Sequence, residues 1–256
     1  MATLWFVGLG LDDERGLSRK AMEVLRRCEL YAEEYTSVSA RGALERLSAE
    51  LGRPVVRLGR EELEAEAPVL AALARVPDVA LVVVGDPFAA TTHVALRLAA
   101  ERAGHAWRYL PNASILVAAA GFLGLMPYRF GRTVSLPFPA PGFAPRSPLE
   151  QIEGNRTRDL HTLVLLDLDP ARGRFLRAEE ALAQLRQLDP EGQVLLDTDL
   201  LAVAARVGRD DAAGFAGTFR ELREASFGPP LHAVLVPAPR LHFEEEAALA
   251  AFRRRR

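Results

Sequence analysis

Six consecutive apolar residues, Val79–Val84, constrain the fold of this 256-residue chain more than any other segment. Four of the six are valine, and such runs are typical of strands that are buried on both faces of a parallel sheet. The run ends at Gly85-Asp86-Pro87, a combination that favours a turn. The sequence therefore predicts a buried strand of an α/β sheet that turns sharply at its carboxyl end.

The first 110 residues alternate strand patterns with helix patterns. The predicted strands are Leu4–Gly8, Glu29–Ala32, Val55–Leu58, Val79–Val84 and Trp107–Leu110. The predicted helices are a segment capped by Ser18, then Ala43–Leu51, Glu61–Ala74 with an interruption at Pro68, and Thr91–Ala103. Alternation at this spacing indicates a parallel sheet with right-handed crossover connections.

The pattern changes after Pro111, where a predicted helix leads into a proline-rich connection from Leu136 to Pro148. The predicted helices of this half are Ser114–Leu123, Ala178–Gln187, Phe219–Ala225 and Phe243–Phe252, and its predicted strands are Leu163–Leu166, Leu201–Ala205 and Ala233–Val236. Crossover helices are fewer here than in the first half. We therefore predict two α/β domains, residues 1–110 and 111–256, with a mixed sheet in the second.

The composition excludes several classes of protein. Lys and Arg (32) nearly balance Asp and Glu (34), which argues against a nucleic-acid-binding protein because such proteins are usually basic. Cys28 is the only cysteine, so no intramolecular disulfide can form, and no Cys/His group has the spacing of a metal site. The sequence predicts neither a signal peptide nor a membrane span, and we expect a cytoplasmic protein.

Two residue types are unusually scarce. Lys20 is the only lysine, and Asn112 and Asn155 are the only asparagines. A thermophilic source would explain this bias, and GC-rich coding would explain the arginine as well. The chain ends in a run of arginines, residues 253–256, whose default interpretation is a solvated end.

The first candidate site is the loop Gly8–Asp13, which follows the first predicted strand. A dinucleotide-binding loop would need a third glycine at position 13, where this chain has an aspartate. The carboxylate of Asp13 would stand where a pyrophosphate needs a free helix N-terminus, so a conventional NAD site is not expected. Two interpretations of this loop remain open: a tight turn, and a surface on which an adenosine approaches the backbone.

The second candidate site is the segment Gly85–His93. Asp86 stands at the carboxyl end of a buried strand, which is where open α/β sheets bind ligands. The alternative is a proline-stiffened turn in which a threonine caps the next helix. His93 alone does not distinguish the two interpretations.

The third candidate site is Pro111–Ile115, at the predicted domain boundary. A hinge of small residues that opens a helix would suit a ligand between two domains, whereas the alternative is a plain linker with Ser114 as the helix cap. His232, which precedes the last predicted strand, is similarly ambiguous.

Taken together, these segments resemble the diphthine synthase family of the tetrapyrrole-methylase superfamily. The segments that carry the resemblance are, in chain order, Val7–Arg15, Gly85–His93, Pro111–Ile115, Leu160–Leu163 with Leu166-Asp167, and Pro229–His232. Each motif alone is weak, but five in the same order are specific. The resemblance covers nearly the whole chain except the arginine tail.

The resemblance implies two α/β domains of the tetrapyrrole-methylase type, with S-adenosyl-L-methionine in the cleft between them, and a homodimer. It implies N-methylation of the aminocarboxypropyl-modified histidine of elongation factor 2, repeated to the trimethylammonium product diphthine, with S-adenosyl-L-homocysteine as the by-product. The cofactor-binding positions that carry over are Leu11, Asp86, Ala89, Ser114, Ile115, Leu166, Val207 and His232.

Methyl transfer agrees with a chain that has no catalytic triad and no metal-ligand cluster, because the cofactor itself supplies the electrophile. The base that removes the amine proton is not identifiable, and His93 and His232 are the only candidates we name. Two alternatives stay open at this point. One is a methylase that acts on a tetrapyrrole or a cobalamin precursor, and the other is a nucleotide-binding module without catalytic activity.

Overall fold

A computed structural model describes residues 1–140 and 142–253 of the chain. The chain divides into two compact units, Met1–Ile115 and Leu116–Arg256. Pro141 of the proline-rich connection and residues 254–256 of the arginine tail lie outside the described residues. The domain boundary at residue 110 stays a prediction. Within the described residues, no helix is long and apolar enough to cross a membrane.

The first unit is built on a five-stranded sheet in which all strands are parallel. Its strands are β1 (Thr3–Gly10), β2 (Glu29–Glu33), β3 (Val55–Leu58), β4 (Asp78–Val84) and β5 (Ala106–Leu110). Their order across the sheet is β3-β2-β4-β1-β5, so β4 pairs with β1 on one side and with β2 on the other. The predicted α/β fold class is therefore confirmed.

Helices α1 to α5 of this unit pack on the sheet through two apolar clusters. Their bounds are α1 (Arg19–Leu25), α2 (Ala43–Leu51), α3 (Arg60–Glu64), α4 (Ala67–Leu73) and α5 (Val94–Arg102). Leu81 and Val83 of β4 belong to one cluster, whereas Ala80 and Val82 belong to the other. Alternate residues of β4 thus enter opposite cores, which explains why the whole strand is apolar.

The segment Glu61–Ala74 is interrupted, as predicted, but the break lies at Glu66, which adopts a φ of 62°, and Pro68 stands in the first turn of α4. The predicted start of the next helix at Thr91 was wrong. Helix α5 begins at Val94, with His93 as its cap residue, and the Thr91 hydroxyl donates a hydrogen bond to the Pro87 carbonyl at 2.6 Å.

The second unit has a mixed sheet, as predicted. Its strands are β6 (Val134–Leu136), β7 (Thr162–Leu166), β10 (Leu200–Ala205), β11 (Ala213–Thr218) and β12 (His232–Val236), in the order β11-β10-β12-β7-β6. Only the β6–β7 pair is parallel within this sheet. A separate two-stranded ribbon consists of β8 (Leu168–Asp169) and β9 (Arg174–Phe175). The remaining helices are α6 (Ile115–Leu123), α7 (Ser147–Arg156), α8 (Ala178–Leu188), α9 (Phe219–Arg223) and α10 (Phe243–Ala250).

The sequence pattern missed α7, β6, β11 and the β8–β9 ribbon. Strand β11 contains two glycines and two alanines, which have little intrinsic preference for strands. It is held by its antiparallel pairing along the whole of β10. Helix α7 begins directly after the proline-rich connection, where prolines obscured its apolar residues.

A buried His–Glu pair ties the start of β7 to the start of α10. His161 and Glu245 are both fully buried, and His161 Nε2 lies 2.9 Å from Glu245 Oε1. His161 Nδ1 accepts a hydrogen bond from the Ala238 backbone N–H, so the ring is neutral with its proton on Nε2. Burial lowers the pKa of His161 below its ordinary value of 6.5, although the Glu245 carboxylate opposes this effect.

We predict that the stability of the protein falls as the pH decreases below about 6.5. In the unfolded chain His161 binds a proton near that pH, whereas in the folded protein its lowered pKa keeps it neutral. The free energy of unfolding should fall by up to about 1.4 kcal/mol per pH unit for each histidine whose pKa is lowered in the folded protein. Urea unfolding between pH 7.5 and 5.5 measures it.

His161→Gln should reduce this pH dependence, and the remaining part should come from His232, whose pKa is also lowered. His242→Gln is the matched control, because its ring is exposed in the folded protein. An unchanged slope in His161→Gln would contradict the assignment.

Candidate cofactor-binding site

The candidate residues of the first unit follow three strands that are neighbours in the sheet. Strands β4, β1 and β5 lie side by side and are parallel, so their carboxyl ends meet at one edge. The loops that follow them contain or lead into all five cofactor positions expected in this unit, which are Leu11, Asp86, Ala89, Ser114 and Ile115. The structure therefore brings these positions to a single edge, where α/β sheets bind ligands.

The glycines of this edge are required by close approach between the loops. A Cβ atom at Gly8 would lie 2.6 Å from the Asn112 Cβ and 2.7 Å from the Gly85 carbonyl oxygen. Gly10 and Gly85 exchange backbone hydrogen bonds of 3.3 and 2.7 Å, and both have φ values that favour glycine, 88° and 77°. The space beside Gly8 is thus filled by Asn112, which favours the tight-turn interpretation there.

Asn112 connects the loop after β5 to the loop after β1. Its Nδ2 donates hydrogen bonds to the carbonyl oxygens of Gly8 and Gly16, at 2.8 and 3.0 Å. Its Oδ1 accepts one from the Ala113 N–H at 2.8 Å. Asn112 lies in the Pro111–Ile115 motif, but the sequence indicates no role for it. The available signal was its rarity, since only one other asparagine occurs in the chain.

Asp86 connects the loop after β4 to the same region. Its Oδ1 accepts a hydrogen bond from the Phe88 N–H at 3.0 Å, and its Oδ2 accepts from the Tyr109 hydroxyl at 2.5 Å and the Asn112 N–H at 3.3 Å. A carboxylate has about four lone-pair sites, so about one remains for a ligand donor, on Oδ1. Burial and the adjacent Asp86 carboxylate raise the pKa of Tyr109 to about 12.

The first loop does not offer a free helix N-terminus. The Ser18 hydroxyl caps α1 by accepting a hydrogen bond from the Ala21 N–H at 3.1 Å. Asp13 caps a short 3₁₀ turn, Glu14–Gly16, and its carboxylate contacts the Arg15 guanidinium at 2.8 Å. Asp13 thus stands where a pyrophosphate would need free backbone N–H groups.

The three expected positions of the second unit also share one sheet edge. Leu166 ends β7, His232 begins β12, and Val207 follows the end of β10. The antiparallel register pairs Ala233 with Leu165 and His232 with Ala205, so the three positions are neighbours at this edge.

His232 contributes an unsatisfied polar atom to this edge. Its Nδ1 accepts a hydrogen bond from the Ala178 N–H at 3.1 Å, so Nε2 carries the proton of the neutral ring. Nε2 is buried and has no hydrogen-bond partner within the described residues. Burial lowers the pKa of His232, and the Glu179 carboxylate opposes this effect. This buried N–H is therefore a candidate donor to a ligand.

His93 lies in the first unit and is buried, with 2% of its surface exposed. Its Nδ1 lies 2.8 Å from the Pro87 carbonyl oxygen. In both His93 and His232, one ring nitrogen is hydrogen-bonded to the backbone and the other is buried. A role as general base for either stays a prediction. No group of three or more His, Cys, Asp or Glu side chains in the described part of the chain could hold a metal ion.

Comparison with known families gives the class of protein to which this fold belongs. The family model "Tetrapyrrole (Corrin/Porphyrin) Methylases" matches residues 3–223. These proteins are methyltransferases that depend on S-adenosylmethionine.

Within this class the similar proteins are diphthine synthases. The chain is 40% identical to "Diphthine synthase" of Methanothermobacter thermautotrophicus, over 94% of this chain and 92% of the relative. It is 36% identical to "Diphthine methyl ester synthase" of Homo sapiens, over 97% and 94%. A solved structure of a diphthine synthase superposes with a TM-score of 0.88 at 35% identity, covering 98% of this chain and 96% of that one. The chain belongs to the diphthine synthase family.

We predict that Gly8→Ala destabilises the protein by about 2 kcal/mol or more, because the added methyl would collide with Asn112 and the Gly85 backbone. Gly154→Ala is the matched control. Gly154 lies in α7, where an added methyl would meet no atom within 4 Å, so alanine should stabilise by about 0.5–1 kcal/mol. Urea unfolding at neutral pH measures both. Equal effects of the two changes would contradict this account of Gly8.

Proposed function

We propose that the protein methylates the amine of the aminocarboxypropyl-modified histidine of elongation factor 2, in three rounds, to give diphthine. The full-length similarity to an archaeal diphthine synthase carries this proposal. The loops after β1, β4 and β5 support it, because they place the expected cofactor positions at one edge. A homodimer and a cytoplasmic location, both expected from the sequence and the resemblance, stay predictions.

The residues at the two sheet edges fit S-adenosylmethionine. The remaining acceptor site on Asp86 suits a hydroxyl or ammonium group of the cofactor. The buried Nε2–H of His232 suits one of its carboxylate or adenine acceptors. Leu11, Ala89, Ile115, Leu166 and Val207 supply apolar surface or backbone groups, and Ser114 supplies a hydroxyl. The bound cofactor supplies a sulfonium methyl group that is already electrophilic.

The protein's own contribution is therefore positioning. Asp86 would orient the cofactor, and the hydrogen-bonded loops around Asn112 would keep it in place. Holding two reactants in line removes much of the entropic barrier of a bimolecular reaction. A neutral amine is needed at each of the three rounds, so the acceptor region must tolerate a nitrogen that grows in bulk.

The names of the relatives distinguish two products. The archaeal relative is named for diphthine, whereas the human relative is named for the methyl ester of diphthine. An N-methyl group resists mild alkali, but a methyl ester is hydrolysed by it. The number and alkali stability of the methyl groups therefore identify the product.

We expect three alkali-stable methyl groups on the target histidine of archaeal elongation factor 2. The test combines isotopically labelled S-adenosylmethionine with elongation factor 2 that carries the aminocarboxypropyl intermediate, and mass spectrometry counts the methyl groups before and after alkali. Elongation factor 2 without the intermediate is the control. An additional alkali-labile methyl group would indicate the ester, and label on a precorrin instead would favour a tetrapyrrole methylase.

We predict that Asp86→Asn weakens S-adenosylmethionine binding at least about tenfold, because an amide replaces an oxygen that accepts hydrogen bonds. Isothermal titration measures the Kd. Asp78→Asn is the matched control, since Asp78 starts the same strand at the opposite edge and contacts Trp5 and Arg27. The control should change the Kd by less than about threefold. Equal effects of the two variants would remove Asp86 from the site.

A further inference from the structure

The segment Gly85–His93 carries Asp86 and Ala89, and it contains neither a helix nor a strand. Its conformation is fixed largely at the Pro87 carbonyl oxygen. That oxygen accepts hydrogen bonds from the Thr91 hydroxyl at 2.6 Å and from His93 Nδ1 at 2.8 Å. Because Pro87 directly follows Asp86, the orientation of this carbonyl also fixes the backbone beside Asp86.

The other side of the His93 ring faces a buried carboxylate. His93 Nε2 has no hydrogen-bond partner within the described residues, and it lies 3.7 Å from Glu33 Oε1. Glu33 is the last residue of β2, the strand beside β4, and only 1% of its surface is exposed. The His93 ring therefore lies between the loop after β4 and the end of β2.

Glu33 organises the loop that follows β2. Its Oε2 accepts hydrogen bonds from the N–H groups of Tyr35 and Thr36, both at 3.0 Å. Its Oε1 accepts one from the Thr36 hydroxyl at 2.5 Å. Three hydrogen bonds thus fix the start of this loop on the Glu33 carboxylate.

The geometry also constrains the protons of His93. A carbonyl oxygen can only accept, so His93 Nδ1 carries a proton. The 3.7 Å contact between Nε2 and the Glu33 carboxylate is longer than a hydrogen bond, so Nδ1 is the ring nitrogen that fixes the loop.

We propose that His93 is a positioning residue for the cofactor. Through Nδ1 it fixes the Pro87 carbonyl and so the segment that carries Asp86 and Ala89. Its other ring nitrogen faces Glu33 of the neighbouring strand at 3.7 Å, and this contact contributes to stability rather than to positioning. The inference rests on the proposed function, since it assumes that Asp86 and Ala89 contact S-adenosylmethionine.

The test compares variants that keep different parts of the ring. His93→Asn retains an N–H near the position of Nδ1, His93→Gln retains one near Nε2, and His93→Phe retains neither. Titration of S-adenosylmethionine should give a Kd within about threefold of wild type for His93→Asn. We expect a Kd raised at least about tenfold for His93→Gln and His93→Phe.

Thermal unfolding separates positioning from stability. His93→Asn and His93→Phe both lose the Glu33 contact, so both should unfold at a lower temperature although only one loses binding. His161→Phe is a further control, because it removes a buried histidine of the other unit. It should lower the unfolding temperature without the tenfold increase in Kd.

The outcomes distinguish the two proposals. Wild-type protein that binds no S-adenosylmethionine overturns the proposed function and this inference with it. Wild-type binding together with an unchanged Kd in His93→Phe overturns the inference alone. Equal weakening in His93→Asn and His93→Gln would show that the ring acts only through general stability. If His93→Phe does not fold, the comparison of the Asn and Gln variants decides.

Discussion

The side-chain amide of Asn112 holds together the loops on which the candidate site is built. It donates to two carbonyl oxygens of the first loop, and it reaches them only because residue 8 has no side chain. The backbone N–H of the same residue donates to Asp86, which belongs to the loop after β4. Three chain segments far apart in sequence thus form one hydrogen-bonded unit, and the placement of Asp86 depends on it.

Much of the first unit could be predicted because its strands are short, apolar and separated by regular helices. Strand β4 is the clearest case, since burial on both faces leaves no polar position within Val79–Val84. The start of α5 was predicted three residues too early, because the segment before it forms turns that are held by hydrogen bonds to the Pro87 carbonyl. Strand β11 was missed because pairing with β10, rather than its own residues, makes it a strand.

The residues of the candidate site could likewise be predicted only in part. Asp86 could be found from its position after a buried strand, which is a local signal. The roles of Asn112 and Tyr109 could not, since each depends on a contact with a different strand or loop that no local pattern records. The positions in the second unit came from the family resemblance, and the antiparallel register of β7, β12 and β10 accounts for their meeting at one edge.

Both asparagines of the chain use the side-chain amide to hydrogen-bond separate segments. Asn155 is buried, and its Oδ1 accepts a hydrogen bond from the Arg132 N–H. Its Nδ2 donates to the Arg132 carbonyl oxygen and to the Thr162 hydroxyl. Asn112 joins its own loops in a similar way. Deamidation would turn either amide into a carboxylate, which cannot donate, and at Asn112 an anionic oxygen would then face two carbonyl oxygens. Neither residue precedes a glycine, and both amides are hydrogen-bonded. Deamidation of either asparagine would therefore break hydrogen bonds that join separate segments of the chain.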